Sequence, residues 1–304
     1  MPSLNDVLAR APTLLTREQR DFYFAHGYLK GERFVADAWL HRLRDATAEI
    51  VEQSRVVRGQ SDIFYFEKGS TPEQPRLQRL TTPDIRHATY WDFASQSPVV
   101  DAVADLVGPD VKFHHSKLNF KWALGGQSFD WHQDIVGWPH TNYSPVTVGV
   151  YLDDCALAQG PLAVVRGSHE GPLISEYNDA GVWTNAIAAR DFCWDEDDID
   201  YLTGSAGTVF FLNCRTIHGS ARNDSSLCRR LLLNTYSSAD AFAYTFNPHG
   251  TAHSGAVVRG KPALWAWHDP RPCLVPPDWS KGFDGPFKFQ SAQGPDASPT
   301  SASM

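Results

Sequence analysis

The chain has 304 residues, 42% of them hydrophobic and 12% aromatic, enough apolar material for one sizeable core. Its formal net charge is −8 and no cluster of Lys or Arg interrupts that balance, which argues against a nucleic-acid partner and against an anionic membrane surface. Five cysteines with no C-x-x-C spacing give neither a disulfide framework nor a cysteine-based zinc site, and fit a reducing cytoplasm.

The amino-terminal stretch has no basic region followed by an apolar run, and no later segment is long and apolar enough to span a bilayer, so a soluble chain is expected. The first helix signal is Leu15-Thr16-Arg17-Glu18-Gln19: Thr16 with Gln19 three residues on is a capping box, and Gly27 can close the helix. From Asp37, the spacing of Trp39, Leu40, Leu43, Thr47, Ile50 and Val51 follows the helical period. A third helix is expected to open at Ser97-Pro98 and stop at Gly108.

From about Val111 the texture changes to short runs rich in Val, Phe, Tyr, Leu and Thr, at residues 117–122, 147–152, 162–165, 208–212 and 231–236. Turns at Gly125-Gly126, Asp153-Asp154, Gly160-Pro161 and Asn223-Asp224 separate them, the pattern of a sandwich or jelly roll rather than of βαβ units. The expected fold is mainly β, with helices packed outside a double-stranded β-helix of the cupin-like kind. One domain is expected over residues 1–290, with its helices at the amino-terminal end, and a disordered tail of Ser, Ala, Gly and Pro over 291–304. The acidic run at 195–200 reads as a solvated loop or helix start, and residues 55–90 and 170–205, lacking clean periodicity, are the expected lids.

Trp131-His132-Gln133-Asp134 sets an imidazole and a carboxylate two residues apart, which on a strand would point both to one face. With one more imidazole the pair becomes a facial triad of two histidines and one carboxylate, which leaves the opposite face of an Fe(II) ion open for a bidentate co-substrate and O2. The best distal candidate is His218, after the run 207–212 and before Gly219-Ser220. Arg229 lies eleven residues further on, and a guanidinium there can hold the far carboxylate of 2-oxoglutarate while its keto acid chelates the iron. Arg230 competes for that role, because neighbouring strand residues face opposite ways. Ser220 can donate to the same carboxylate, and Asn119 to the co-substrate.

These residues resemble the phytanoyl-CoA dioxygenase family, in its ectoine-hydroxylase-like branch. The resemblance runs from Leu15-Thr16-Arg17-Glu18-Gln19 with Gly27-Tyr28, through Trp131-His132-Gln133-Asp134 and Gly160-Pro161-Leu162 with Arg166-Gly167-Ser168-His169, to His218-Gly219-Ser220 with Asn223 and Arg229. It implies a double-stranded β-helix, His132, Asp134 and His218 as iron ligands, Arg229 rather than Arg230 with Ser220 on the 2-oxoglutarate carboxylate, and Asn119 in the co-substrate site. Related halogenases replace the metal carboxylate by a small residue; Asp134 is present, so hydroxylation is expected.

The implied reaction is Fe(II)- and 2-oxoglutarate-dependent dioxygenation, in which the unactivated C–H bond of a small metabolite is hydroxylated and succinate and CO2 are released. The same iron centre would serve desaturation, epoxidation or ring formation. A non-catalytic β-helix binding protein and a cupin-like metal hydrolase are the readings from other classes. Phytanoyl-CoA itself is disfavoured, since CoA phosphates call for basic residues. A small polar or amphipathic molecule is the expected partner, bound by a monomer or homodimer, with Trp138 and Tyr151 as substrate contacts. His114, His115 and His169 are expected to be structural.

Overall fold

The computed structural model describes residues 4–61 and 63–291; of the tail expected over 291–304, all but Ser291 lies outside the described residues. Five helices precede or interleave with the first strands: α1 (Leu4–Ala9), α2 (Arg17–His26), α3 (Asp37–Gln53), α4 (Ala88–Gln96) and α5 (Val99–Val107). The first turn of α2 is held by the expected reciprocal cap, Gln19 N–H donating to Thr16 Oγ1 at 3.2 Å and Thr16 N–H to Gln19 Oε1 at 2.8 Å. Gly27 ends α2 at φ 81°, a left-handed turn in which a Cβ would also lie 2.5 Å from Thr216 Oγ1, so glycine is required twice over. Along α3, Leu40, Leu43, Ala46, Thr47 and Ile50 are buried, the stripe that the spacing predicted. Helix α4 has no counterpart in the sequence reading; its aromatic-rich stretch Ala-Thr-Tyr-Trp-Asp-Phe is a weak helix former and is held by burial of Tyr90, Phe93 and Ala94.

Among the described residues twelve strands form two antiparallel sheets: β1 (Tyr28–Gly31), β2 (Phe64–Phe66), β3 (Leu77–Thr81), β4 (Val111–Lys121), β5 (Phe129–His132), β6 (Val146–Tyr151), β7 (Ala163–Val165), β8 (Ile199–Tyr201), β9 (Val209–Asn213), β10 (His218–Ser220), β11 (Arg229–Ser238) and β12 (Val257–Arg259). The larger sheet runs β1-β9-β6-β11-β4-β3-β2 with β12 beside β4, and the smaller runs β5-β10-β7-β8. The expected mainly β jelly roll is the observed architecture. A one-turn helix, α6 (Asp134–Gly137), follows β5, and α7 (Pro286–Ser291) ends the described chain.

Alternation on the larger sheet decides what faces what. Leu80, Leu118, Phe120, Val148, Val150, Val209, Phe211 and Leu232 turn to the helices and form the main core. Burying each such side chain contributes about 1.5–3 kcal/mol. The intervening residues of the same strands, among them Arg79, Lys117, Asn119, Lys121, Phe210, Arg229 and Leu231, face the smaller sheet and line a cavity between the two. Gly149 belongs to this inner face because Phe210 is its cross-strand partner, and a Cβ there would lie 1.9 Å from the Phe210 ring. Among the described residues no helix is long and apolar enough to cross a membrane, and all five cysteines are unpaired.

Candidate active site

His132 closes β5 and His218 opens β10, and the two are direct partners across the smaller sheet, their rings 4.0 Å apart. Each imidazole donates through Nδ1 to the carbonyl two residues before it: His132 to Asp130 O and His218 to Thr216 O, both at 2.9 Å. That commits the proton to Nδ1 and leaves both Nε2 lone pairs free, as a metal ligand requires. Burial, followed by the neighbouring His218, pushes His132 down to about 3; burial lowers His218 as well, so both rings are neutral.

Asp134 does not continue the strand, as the two-residue spacing suggested, but opens α6. The chain turns at Gln133, whose amide is fully engaged: Nε2 donates to Arg215 O at 2.7 Å and Oε1 accepts from Ile174 N–H at 2.8 Å. The turn still delivers the carboxylate. Asp134 Oδ1 lies 3.9 Å from His132 Nε2 and 4.0 Å from His218 Nε2, while Oδ2 accepts the Thr147 hydroxyl at 2.7 Å. Burial alone would raise this carboxyl, but His218, Lys117, His132 and the Thr147 donor together bring it below its usual value. Among the described residues this is the one cluster of His, Cys, Asp or Glu able to hold a metal ion, with its ligand atoms within 4.8 Å of one another.

The larger sheet supplies the opposite wall. Register pairs Arg229 with Lys121 and Leu231 with Asn119 across β11 and β4, and Arg79 with Asn119 across β3 and β4. Arg229 is buried; its Nη2 donates to Gly160 O at 2.8 Å, and its Nε is buried with no partner. Arg230 points to the other face and chelates Asp153, with Nε 2.8 Å from Oδ2. Register therefore separates two arginines that the sequence left in competition. Ser220 Oγ accepts from Lys121 Nζ at 2.7 Å, and Lys121 also donates to Ala221 O. Burial, then the charge of Arg229, lowers Lys121 well below a free lysine.

The cavity has two lobes. The first holds Asn119, Lys121, Ser220 and Arg229; the second holds Trp138, Glu176, His249, Trp279 and Phe283. Arg79, Lys117, Phe129, His132 and Asp134 line both and mark where they meet. Trp138 is where a substrate contact was expected. Tyr151 is not: it is wholly buried, and its hydroxyl accepts the Leu162 N–H at 2.9 Å, so it braces β6 against the 160s turn and reaches neither lobe.

Four features escaped the sequence reading. Lys117 and Lys121 share the face of Asn119 by simple alternation, and that period of two was the available signal. Arg79 carries no motif. The roof over the site comes from the carboxy-terminal segment, Pro248, His249, Trp279, Phe283, Pro286 and Phe287, rather than mainly from 55–90, which contributes Arg79 alone, or 170–205, which contributes Glu176 and Asn185. The four-residue spacing of Trp279, Phe283 and Phe287 was its one trace. His114, His115, His140 and His249 pack together beside the second lobe, with His114 Nδ1 2.6 Å from His115 Nδ1. Burial first, with the neighbouring positive groups, holds all four neutral. His169 donates through Nε2 to Phe24 O, 3.0 Å away, a contact that fits the structural role expected of it.

A family model described as phytanoyl-CoA dioxygenase matches residues 23–231, a span that contains the histidine–carboxylate cluster, Ser220 and Arg229. The chain belongs to the phytanoyl-CoA dioxygenase family. It is 29% identical over 280 residues to a probable alpha-ketoglutarate-dependent hypophosphite dioxygenase of Stutzerimonas stutzeri, covering 90% of this chain and 97% of that one. To the ectoine dioxygenase of Bordetella parapertussis it is 24% identical over 249 residues, covering 77% and 78%. Of solved structures, EctD from S. alaskensis with bound Fe superposes with a TM-score of 0.64 at 22% identity, over 90% of this chain and 95% of that one. The alpha-ketoglutarate-dependent carbocyclase SnoK gives a TM-score of 0.60 at 22% identity, over 79% and 90%. Like its family, the chain is an Fe(II)- and 2-oxoglutarate-dependent dioxygenase that uses O2.

Proposed function

We propose that His132, Asp134 and His218 hold the iron, that the first lobe holds 2-oxoglutarate, and that the second lobe receives a small metabolite whose unactivated C–H bond is hydroxylated. The observation that carries this reading is the joint orientation of the cluster: two imidazoles whose Nδ1 protons are committed to backbone carbonyls turn their Nε2 atoms toward one oxygen of Asp134. Two neutral nitrogens and a carboxylate form a donor set suited to Fe(II), and Thr147, by occupying the second carboxylate oxygen, makes Asp134 a one-oxygen ligand. The buried Arg229 guanidinium, with its unpartnered Nε, and the Lys121 amine beside it suit the far carboxylate of a dicarboxylic acid. Ser220 and Asn119 flank them.

When bound, iron with 2-oxoglutarate and O2 supplies the oxidising power, and succinate and CO2 leave. The chain's own residues set where that power acts. Arg229 and Lys121 fix one end of the co-substrate, the triad fixes the other, and Trp138, Trp279 and Phe283 wall the second lobe against water. Asp134 keeps the metal carboxylate in place, which supports hydroxylation rather than halide transfer. The unpaired cysteines support a reducing, cytoplasmic setting.

The test is an anaerobic titration of metal-free protein with Fe(II) and then 2-oxoglutarate, followed through the weak visible charge-transfer band of a chelated keto acid. The band is expected in the native protein and not in His218→Ala. Iron binding without the band would remove the co-substrate assignment and favour a metal hydrolase or a binding protein.

A further inference from the structure

The second lobe contains positive charge that the iron and its co-substrate do not use. Fe(II), Asp134, a 2-oxoglutarate dianion and the Arg229 guanidinium cancel among themselves, and the Lys121 amine is engaged beside the co-substrate by Ser220 Oγ and Ala221 O. Arg79 and Lys117 remain. Both line the junction of the lobes, and neither is in an ion pair with a carboxylate among the described residues. Lys117 Nζ has no hydrogen-bond partner there at all. Arg79 uses Nε on Asn119 Oδ1 at 2.9 Å, and its guanidinium sits 5.1 Å from the centre of the Phe287 ring, which leaves its terminal nitrogens to the cavity.

The one other acid in the second lobe does not serve as their counter-ion. Glu176 is turned to the backbone, accepting Gln133 N–H through Oε1 at 2.9 Å. Cations held out of bulk water without a partner are costly, and they persist where a ligand supplies the opposite charge. Here they stand at the edge of the lobe that the co-substrate leaves open, beside the apolar walls of Trp138, Trp279 and Phe283.

Resting on the assignment of the first lobe to 2-oxoglutarate, we infer that Lys117, assisted by Arg79, is an anion-binding subsite for the primary substrate, which is a small acid. Its carboxylate or phosphorus oxyanion is held at the lobe junction, and its compact apolar body lies against the tryptophans. Both kinds of acid group present oxygens that an ammonium and a guanidinium recognise in the same way. An acid anchored there stands next to the triad, which places the carbons nearest the acid group within reach of the iron.

The test uses full-length protein loaded anaerobically with Fe(II) and saturating 2-oxoglutarate, in which a molecule entering the second lobe perturbs the charge-transfer band. Pentanoate, butylphosphonate and the neutral isostere pentanamide are titrated separately. At least one of the two anions is expected to perturb the band saturably, with pentanamide weaker by about 30-fold or more, the discrimination expected from a buried charge-assisted contact. Which anion binds more tightly identifies the acid group. Lys117→Met is expected to lose this preference and Lys117→Arg to restore most of it, while the apparent affinity of both variants for 2-oxoglutarate stays within about threefold of the native value.

Three results overturn the inference: pentanamide binding as tightly as both anions, an unchanged preference in Lys117→Met, or a 2-oxoglutarate requirement that rises in Lys117→Met as far as the anion requirement does. The last would place Lys117 in the co-substrate site. The native comparison of anions with pentanamide needs no variant, so a misfolded substitution leaves it intact. If the native protein gives no band with Fe(II) and 2-oxoglutarate, the assignment of the first lobe has failed, a result distinct from a band that no anion perturbs.

Discussion

Replacing Arg229 by Gln keeps most of the side-chain stem but removes the buried charge, and the neighbouring Arg230→Gln provides a matched control one residue away. Arg229 is 2% exposed, its Nε has no protein partner, and its one hydrogen bond is to Gly160 O. Its free donors are therefore available to the co-substrate carboxylate. Losing one side of a buried charge-assisted pair costs about 2–5 kcal/mol. At about 1.4 kcal/mol per tenfold, the 2-oxoglutarate affinity should fall by about 30-fold to several thousandfold. Arg230→Gln breaks a bridge to Asp153 at the end of the interior strand β11, where both side chains remain about a fifth exposed, and should change 2-oxoglutarate affinity by less than about twofold. Affinity is read from the charge-transfer titration, and the co-substrate dependence of succinate release provides an independent measure. Equal effects of the two substitutions, or an unaltered affinity in Arg229→Gln, would refute the assignment.

Two further outcomes follow from the geometry. Thr147→Val removes the hydroxyl that holds Asp134 Oδ2 without changing side-chain volume, and should weaken iron binding by about 10- to 100-fold while moving the thermal midpoint little; an unchanged metal affinity, measured by competition with a chelating dye, would refute it. Acid should destabilise the metal-free protein through its buried histidines. His132 is lowered to about 3 and His140 to about 4, and His114, His115, His218 and His249 are also lowered, so the folded state refuses protons that the unfolded chain takes up near 6.5. The stability these neutral rings retain is fully present above about pH 6.5 and is lost as the pH falls toward 4, by up to about 1.4 kcal/mol per pH unit for each ring that stays neutral. Urea midpoints at pH 7.5, 6.5 and 5.5 check this, and a flat series would show that the rings are solvated.

The sequence was most legible where local physics is decisive. The Thr16–Gln19 box and Gly27 define α2 because caps are satisfied within a few residues, and the stripe from Leu40 to Ile50 defines α3 because its period matches the face it buries. The triad was legible because two of its members are neighbours in sequence and the third follows a recognisable strand. What failed was non-local. Asp134 leaves the strand because Gln133 is anchored by Arg215 and Ile174, partners remote in sequence. Tyr151 takes the inner face beside Leu231, as a pocket residue would, but it is covered by the 160s turn, whose Leu162 N–H its hydroxyl accepts, and that cover comes from outside its own strand. Arg79 reaches the site through the pairing of β3 with β4, a register that no short window encodes, whereas Lys117 shares the face of Asn119 by alternation alone.

The roof over the cavity has a consequence for how this enzyme can be altered. The family model ends at residue 231, and it encloses every triad and co-substrate residue named above, whereas Pro248, His249, Trp279, Phe283, Pro286 and Phe287 all come later in the chain. The chemistry and most of its roof are thus written in consecutive stretches of sequence, with Trp138, Glu176 and Asn185 the lining residues that the earlier stretch adds. A recombinant in which only the region after β11 is exchanged with that of a relative would keep the oxidising centre and the Lys117–Arg79 anchor and receive a different ceiling, so that the part of selectivity set by Trp279, Phe283 and Phe287 could be transplanted as a cassette while the reaction stayed the same.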